Sequence, residues 1–521
     1  MSVPHPIDPS AWKAELADFR QATDTFHAGG LAKAAYKGFS GYYGSYAQRD
    51  DAVSMLRLRM PAGRVNARRM AFVAGALRRH DIRRLHFTTC QTIQLHDLPP
   101  QALYEVMEGA LDAGGAMLGG GGDYPRNVMC SPLAGADPEE YFDVTPWAEA
   151  AGAYLLHFVH AEKMPRKLKV AFSSSPKNLP HATYRDLGFA ARPDGAFDVY
   201  SAGGLGGNPR LGVKVAEAVA PDQILYYIKA MWLTFRTWGN YENRAKARTR
   251  YMQDALGGPE AYAAAYRDKL RQVYETEDLT LTGVTAPALT KIGTPDPALA
   301  ADRRVLAQKQ DGLYAVAWHP LGGMPDPAVF CAVSDALQQM EGAELRLTPD
   351  EGAWLVNLTA EEARRMLELT AGNTAASLFE TSVACIGAAT CQVGLRDSQA
   401  LLADCVAAVR RAGLPDGALP QIHISGCPSS CGTHQTGAIG FRGAAKVIDG
   451  KPLPAFTLFV GGCEGQGREA MGRELGILRW EKIPEFLVAL GRAVADAGQD
   501  YTAWYAADPA AIEAIAAEYL A

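Results

Sequence analysis

Four cysteines in the last third of the chain have the type and spacing expected of a metal centre. Cys385 and Cys391 form a C-x5-C pair, and Cys427 and Cys431 form a C-x3-C pair. Four thiolates suit either a zinc ion or an iron-sulfur cluster. Zinc sites usually place about two to four residues between paired ligands, which the second pair allows and the first does not. The spacing therefore favours a cluster, with zinc and unrelated buried thiols as alternatives.

Small and turn-forming residues surround both cysteine pairs. The segment 423–443 reads HISGCPSSCGTHQTGAIGFRG, in which Pro428 removes one amide while Gly426 and Gly432 permit unusual dihedral angles. Between the first pair, Gly387 is followed by two alanines, which leaves room for a bulky inorganic group close to the backbone. Outside this pattern, three cysteines are predicted to serve packing: Cys331, Cys405 and Cys463.

The elements that must position these residues occur twice. Segments starting at Met55 and Tyr314, about 260 residues apart, each read as a strand, a Pro/Gly turn, a helix, a second strand and a second helix. This order is half of a ferredoxin-like sheet. Each copy continues into an α/β region with a glycine-rich turn. The prediction is an α+β, internally duplicated, pseudo-twofold fold whose ferredoxin-like halves form one shared domain beside two α/β domains. The alternative to duplication is that the amphipathic segments of the two regions resemble each other by chance.

The two copies differ where chemistry is expected. Arg57 aligns with Ala317, so one copy has a cation where the other has a methyl group. Arg126, in GDYPRNVMCSP, aligns with the segment that carries Cys385 and Cys391. The alignment predicts an anion-binding half and a metal-binding half.

Composition limits the classes of partner. The chain has 51 Lys and Arg residues against 57 Asp and Glu, a net charge of −6, so it has no overall attraction to nucleic acid or anionic membranes. The basic segment 243–252 is predicted to be a solvated helix. No run of about 18 apolar residues occurs, and the nine cysteines are an odd, scattered set. A cytoplasmic protein with reduced or metal-bound thiols is expected.

The two cysteine pairs resemble the signature of the siroheme-dependent sulfite and nitrite reductases, and the duplicated layout resembles that family along nearly the whole chain. The resemblance implies two cofactors, siroheme and a [4Fe-4S] cluster. It implies that the four cysteines bind the cluster and that Cys431 also ligates the siroheme iron. It further implies an external electron donor, such as a ferredoxin or a separate flavoprotein, because no flavin or nicotinamide module fits in the remaining sequence.

The family also places cations around the open face of the siroheme, and the resemblance assigns these catalytic roles to Arg57, Arg126, Lys167 and Lys169. Chemistry agrees, because an oxyanion needs positive charge for capture and its oxygens need protons to leave as water. The lysines alternate on a predicted strand and would face one cavity. Lys169 favours sulfite over nitrite, since nitrite enzymes of the family commonly resemble RKxN there.

Siroheme contacts are implied for Thr88, Gln94 and His96 by the family pattern T-x-R-Q-x-x-Q-x-H, with Arg59 and Arg210 as further candidates. The chain departs from this pattern at Cys90, where the family has an arginine. Cys90 is interpreted in one of three ways. It is a small buried residue whose role other cations take over, it faces a solvated, rotated or amidated carboxylate, or it has a redox or covalent role.

The predicted function is the reduction of sulfite to sulfide. The alternatives are a nitrite reductase that forms ammonia and a non-catalytic, tetrapyrrole-handling relative. The predicted domains are an N-terminal arm at 1–50, a ferredoxin-like half at 51–125, a siroheme- and substrate-binding domain at 126–275, a linker at 276–312, a second ferredoxin-like half at 313–375, and a cluster- and siroheme-binding domain at 376–521.

Overall fold

A computed structural model describes residues 8–161, 163–286, 288–448 and 451–520. The first seven residues of the predicted N-terminal arm lie outside the described residues. The chain divides into two compact units. The larger comprises Met1–Gly204, Arg210–Trp318 and Pro325–Asn373, and the smaller comprises Leu205–Pro209, His319–Met324 and Thr374–Ala521. None of the described helices is long and apolar enough to cross a bilayer.

The first part of the larger unit is a four-stranded antiparallel sheet in the order β1-β2-β5-β4 with helices packed on it. Its helix α3 begins where the Asn66 side chain accepts a hydrogen bond from the Arg69 amide, and it ends with two arginines that favour the helix C-terminus. The elements are α1 (Pro9–His27), α2 (Lys33–Ser40), β1 (Ser45–Ala47), β2 (Ser54–Leu58), β3 (Arg64–Val65), α3 (Ala67–Arg79), β4 (Leu85–Phe87), β5 (Ile93–Leu98) and α4 (Pro100–Asp112).

The next part is a five-stranded mixed sheet in the order β10-β9-β8-β7-β6. Strands β6, β7 and β8 run parallel, and β8, β9 and β10 run antiparallel. The elements are β6 (Met129–Cys130), α5 (Thr145–Leu156), β7 (Val170–Ser173), β8 (Leu187–Ala191), β9 (Phe197–Ser201), β10 (Val213–Val219), α6 (Ile224–Trp238), α7 (Tyr251–Ala255) and α8 (Pro259–Thr276).

The same two architectures then recur. A sheet in the order β11-β12-β14-β13-β3 completes the larger unit, and a sheet in the order β15-β16-β17-β18-β19 forms the smaller one. The elements are α9 (Pro297–Ala300), β11 (Val305–Ala307), β12 (Tyr314–Trp318), α10 (Pro327–Leu337), β13 (Glu344–Leu347), β14 (Ala353–Leu358), α11 (Ala360–Thr370), β15 (Val383–Ala384), α12 (Ser398–Ala412), β16 (Ile422–Ser425), β17 (Ile439–Ile448), β18 (Lys451–Val460), β19 (Arg473–Arg479), α13 (Ile483–Asp496), α14 (Tyr501–Ala507) and α15 (Ala511–Ala517).

The predicted α+β class and the duplication are confirmed by this recurrence. Strands β2 and β12 are each followed by a short 3-10 turn, and the central residues of the two turns, Ala62 and Gly322, share a φ of 57°. In both mixed sheets three parallel strands precede two antiparallel ones. Ala62 thus has the left-handed backbone conformation that a glycine adopts in the second copy. This conformation is strained for alanine, and the repeated framework imposes it.

The ferredoxin-like halves share one core, as predicted. Phe87 of the first half packs edge-on against Trp318 of the second with ring centroids 5.6 Å apart, and both belong to one buried apolar cluster. Strand β3 of the first half pairs with β13 of the second, with Val65 opposite Leu345. Burying this joint surface removes apolar area that neither half covers alone.

Two edge strands lie outside the predicted ferredoxin-like halves. Strand β1 falls in the predicted N-terminal arm and β11 in the predicted linker, yet each pairs with the first long strand of its copy. Each sheet therefore extends beyond the predicted boundary of its half, at 50 or at 312. Three-residue edge strands are too short to show an alternating pattern of their own.

Candidate active site

Arg57 and Arg126 are brought together on the larger unit. Arg57 lies on β2 with Gln94 as its register partner on β5. Its Nη1 donates to the Gly120 carbonyl at 2.7 Å, and Arg126 Nη1 donates to the same carbonyl at 2.5 Å. With its amide oxygen turned towards Arg57, Gln94 accepts from Nε at 3.1 Å. The Gly120 carbonyl therefore accepts hydrogen bonds from two guanidinium groups.

The environment of Arg126 favours a bound anion. Its Nη2 donates to the Gly122 carbonyl at 2.7 Å, while its buried Nε has no partner among the described residues. Burial and the neighbouring Arg57 lower the pKa of Arg126 to about 10. A buried cation beside a second cation is costly unless a negative charge compensates.

Arg59 holds the loop that carries Arg126. Its side chain is 3% exposed and donates to the carbonyls of Leu118, Pro125 and Arg126 at 3.1, 2.8 and 2.8 Å. Burial and Arg126 lower the pKa of Arg59 to about 9. Its predicted siroheme contact stays a prediction, and the structure shows a residue that positions main chain.

Replacing Arg59 tests this positioning role. Arg59→Met leaves three buried carbonyls without their donor and is expected to lower the thermal midpoint of unfolding by about 5 °C. Arg210→Met is the control, because Arg210 is exposed and donates to Asp254 at 2.7 Å in a surface ion pair. That variant is expected to shift the midpoint by less than about 1 °C. Equal midpoints for the two variants would contradict the assignment.

Lys167 and Lys169 lie just before β7, which begins at Val170 rather than earlier as predicted. Between them Leu168 forms an isolated parallel bridge with Pro125, so the lysines still flank a strand-like residue. The Lys169 amide donates to Asp186 at 2.8 Å. Burial lowers the pKa of Lys169, and Arg185 and Arg248 lower it further.

Cys90 lies in the tight loop between β4 and β5, at the edge of these cations. The Thr88 hydroxyl accepts from the Cys90 amide at 3.4 Å, and Asn127 donates to the Cys90 carbonyl at 3.2 Å. Burial alone would raise the pKa of the thiol, but Lys169, Arg185 and Lys167 outweigh it and lower the pKa to about 6. Cations therefore act on the thiol at the position where the family pattern has an arginine.

The remaining predicted siroheme contacts are buried beside this loop. Thr88 and Thr92 share a hydrogen bond of 2.7 Å, and Gln94 lies next to Arg57. His96 Nδ1 is 3.3 Å from the Gln48 amide oxygen, and burial with His86 holds its pKa well below the usual range. The imidazole is therefore neutral at physiological pH.

Sequence reasoning missed a buried charge network beside the lysines. Asp186 is 1% exposed and accepts from Arg248 at 2.9 Å and from the Thr249 hydroxyl. Arg185 is also buried and donates to His181. The segment that carries Arg248 was predicted to be a solvated helix, which is wrong, because Arg248 is half-buried and paired before α7 begins. Only the alternation of basic and small residues there hinted at a buried side.

The cysteine site belongs to the smaller unit. Cys385 follows β15, and its Sγ accepts from the Gly426 amide at 3.2 Å and lies 3.1 Å from the Ser398 hydroxyl. Burial raises the pKa of Cys385 to about 12, with the nearby Cys431 thiol adding to the shift. Two crowded thiols cannot both ionise unless positive charge lies between them.

Backbone contact explains the glycines of the 423–443 loop. A Cβ on Gly432 would lie 2.1 Å from the Ile424 carbonyl oxygen, and one on Gly443 would lie 2.2 Å from the Gly426 carbonyl oxygen. Gly387 has a φ of 72°, and its carbonyl accepts from the Cys391 amide at 2.9 Å. These glycines let the backbone of the 423–443 segment fold closely on itself, and Gly426 lets it approach the loop after Cys391, where a Cβ would lie 2.4 Å from the Arg396 carbonyl oxygen.

These features fit an inorganic cluster. A main-chain amide donates to the Cys385 sulfur, and the Cys431 thiol is near enough to raise the pKa of Cys385. Thiolate ligands and hydrogen bonds to their sulfurs are features of [4Fe-4S] sites. Among the described residues, no three His, Cys, Asp or Glu side chains converge tightly enough to hold a single metal ion.

Comparison with known proteins also supports an iron-sulfur cluster. Residues 121–272 match the family model described as "Nitrite and sulphite reductase 4Fe-4S domain", and residues 46–113 match the "Nitrite/Sulfite reductase ferredoxin-like half domain". These two segments therefore carry domains of the nitrite and sulfite reductase family. The family's cofactors, siroheme and a [4Fe-4S] cluster, are therefore those of this chain. Within 121–272 the only cysteine is Cys130, so the four-cysteine pattern lies in the second copy.

Relatives in this family carry both substrate names. The chain is 28% identical to "Ferredoxin--nitrite reductase" of Synechococcus elongatus, over 83% of this chain and 84% of the relative. It is 26% identical to "Sulfite reductase [ferredoxin] 1" of Mycolicibacterium paratuberculosis, over 74% and 69%. A solved structure of the Mycobacterium tuberculosis NirA protein superposes with a TM-score of 0.73 at 21% identity, covering 93% of both chains, which shows a shared fold.

Proposed function

We propose that this chain reduces sulfite to sulfide, with electrons from an external ferredoxin-type donor. The observation that carries the proposal is the pair of guanidinium groups, Arg57 and Arg126, that both donate to the Gly120 carbonyl. Such a cluster is built for an oxyanion. The ferredoxin in the names of several relatives supports the donor class.

The proposed roles follow from the chemistry of each side chain. Siroheme and the cluster, when bound, supply electrons one at a time to a metal-held substrate. Cys385, Cys391, Cys427 and Cys431 would hold the cluster, with Cys431 shared with the siroheme iron. Arg57 and Arg126 offer fixed, planar donors that orient the substrate oxygens. Lys167 and Lys169 hold protons that departing oxygens need to leave as water.

Nitrite reduction is the second candidate, since a relative of that name aligns along most of the chain. Turnover of sulfite and nitrite by the anaerobically purified holoenzyme with reduced methyl viologen separates the two. We expect the larger kcat/KM with sulfite. A larger value with nitrite would replace the proposal by the second candidate. Turnover of neither, with both cofactors present, would indicate a non-catalytic relative.

Lys169 is the residue proposed to favour sulfite, and Lys169→Asn restores the asparagine of the RKxN pattern. This substitution is expected to raise the ratio of nitrite to sulfite kcat/KM about tenfold, because a lost cation weakens capture of the more highly charged anion most. Lys177→Asn is a matched control, since Lys177 is half-exposed and pairs with Asp137 and Glu139. A ratio that is unchanged in Lys169→Asn would remove Lys169 from the specificity argument.

A further inference from the structure

Three residues of the first ferredoxin-like half lie side by side across neighbouring strands of its sheet. Arg57 on β2 is the register partner of Gln94 on β5, and Gln94 is the register partner of His86 on β4. Residues directly opposite each other in paired strands project from the same face of a sheet. Arg57 is therefore the first member of a row of polar side chains that ends at His86, on the edge strand of the sheet.

The amide of Gln94 joins the other two side chains. With its oxygen turned towards Arg57, it accepts from Nε at 3.1 Å and from Nη2 at 2.5 Å. The nitrogen of the same amide then faces Nδ1 of His86 at 3.4 Å. An amide nitrogen only donates, so Nδ1 is the acceptor and the hydrogen of the neutral imidazole lies on Nε2. The bonds of Gln94 thus select one tautomer of His86.

A residue of the second copy meets the row at the edge of the sheet. Glu351 lies in the turn between β13 and β14, and its Oε1 is 3.5 Å from Nε2 of His86. The two side chains are only 2% and 4% exposed, and Nε2 has no hydrogen-bond partner among the described residues. In such a buried place a carboxyl oxygen attracts a hydrogen on Nε2 even at this distance. Glu351 therefore favours the same tautomer that Gln94 selects.

The duplicated fold explains how Glu351 reaches the first half. It stands about 260 residues after Gln91, at the offset of the two copies, and both residues are left-handed, with φ values of 68° and 51°. Gln91 donates to the Leu347 carbonyl of the second half at 2.7 Å, and Glu351 faces His86 of the first half. Side chains other than glycine keep a left-handed backbone only where their surroundings hold it. The equivalent turns of the two copies thus each direct one side chain into the other half.

We propose that Glu351 and His86 are positioning residues that orient Arg57, through Gln94, for binding of the substrate oxyanion. The proposal rests on the proposed function, in which Arg57 binds that anion. If the hydrogen of His86 moved to Nδ1, the amide of Gln94 would turn to accept it, and the amide nitrogen would face a guanidinium group, which offers no acceptor. Arg57 would keep its bond to the Gly120 carbonyl and lose those to Gln94. The second copy, which carries the four cysteines, thus also supports the anion site of the first.

The dissociation constant of sulfite, measured by optical titration of the oxidised holoenzyme, tests this orientation without turnover. His86→Leu removes the acceptor for Gln94 and is expected to raise the constant about tenfold, while kcat at saturating sulfite falls by less than about threefold. His86→Asn places an oxygen at the position of Nδ1 and is expected to stay within about twofold of the wild-type constant. Equal constants in the two variants would overturn the proposal.

The matched control is His80→Leu. His80 caps the C-terminal end of α3, and its Nε2 lies 3.6 Å from Glu105, so it makes the same kind of contact outside the row. This variant is expected to keep the wild-type dissociation constant to within about 1.5-fold. A rise as large as that in His86→Leu would show that loss of any such pair weakens sulfite binding, and the proposal would fail.

A double-mutant cycle measures whether Glu351 acts through His86. Glu351→Gln keeps the shape of the side chain and removes the carboxyl group, and it is expected to raise the dissociation constant about threefold. In the His86→Leu background, where no imidazole remains to be oriented, the same substitution is expected to cause no further rise. A rise by the same factor in both backgrounds would show that the two residues act independently, contrary to the proposal.

Crystal structures of the two His86 variants give a readout that needs neither siroheme nor turnover. Arg57 is expected to shift away from residue Gln94 in His86→Leu and to keep its place in His86→Asn. An unchanged Arg57 in both variants would overturn the proposal, whatever the activity of the enzyme. Failure of the wild-type holoenzyme to reduce either sulfite or nitrite would refute the proposed function and leave the observed orientation of Arg57 standing.

Discussion

Arg126→Met is expected to lower kcat/KM for sulfite by about 1,000-fold, with the siroheme and cluster spectra retained. The guanidinium is one of two that meet at the Gly120 carbonyl, and its Nε, which has no partner in the described parts of the chain, is a donor for the substrate. Removing a preorganised charged donor from a buried site usually costs two to three orders of magnitude in rate. Steady-state kinetics with reduced methyl viologen measures the loss.

Two further variants make the result interpretable. Arg126→Lys keeps the charge but not the planar fork, so it should recover about tenfold of the lost kcat/KM. Arg83→Met removes an arginine whose side chain is 84% exposed and should change kcat/KM by less than about twofold. If Arg126→Met stays within about threefold of the wild-type value, the cation cluster does not bind the substrate.

Cys427→Ser and Cys431→Ser are each expected to abolish sulfite reduction, with less than about one thousandth of the wild-type rate. The cysteine loops approach each other through bare glycine backbone, and a serine oxygen is a poor ligand for iron in a cluster. Iron analysis should fall from about five irons per chain, four from the cluster and one from the siroheme. The EPR signal of the reduced cluster should disappear with it.

The control for the cysteine variants is Cys405→Ala. Cys405 is fully buried on α12 and burial raises the pKa of its thiol, so it is an inert packing residue. This variant should keep its iron, its EPR signal and most of its activity while losing some stability. Full iron content in Cys427→Ser or Cys431→Ser would show that the cluster has other ligands, and zinc in place of iron in the wild-type protein would contradict the cluster itself.

Local spacing and periodicity were enough to predict the duplicated α+β fold. The reason is that each half repeats the same order of alternating strands and amphipathic helices, which the periodicity of apolar residues reveals. The cysteine pairs were also evident, since thiols at short spacing are rare. The pairing of β3 with β13 of the other half could not be predicted, because a strand of two residues is too short to show a periodic pattern.

The charge network around Asp186 was beyond sequence reasoning for a different reason. The sequence alone does not show whether an arginine such as Arg248 is solvated or bonded to a buried carboxylate. Its environment depends on tertiary contacts with residues that are distant in sequence. The same holds for Arg59, where only the structure shows three carbonyl acceptors. The lowered pKa of the Cys90 thiol likewise depends on three cations from two other segments.

The pairing of β3 with β13 has a consequence for synthesis of the chain. Val65 meets Leu345, and Arg64 donates to Glu344 across 280 residues of sequence. On a ribosome, the first half emerges long before its partner strand exists, so its edge stays open through most of translation. Closure of that edge waits for the second half, and the rate of this late step, rather than of any local element, is expected to govern how much newly made chain escapes aggregation.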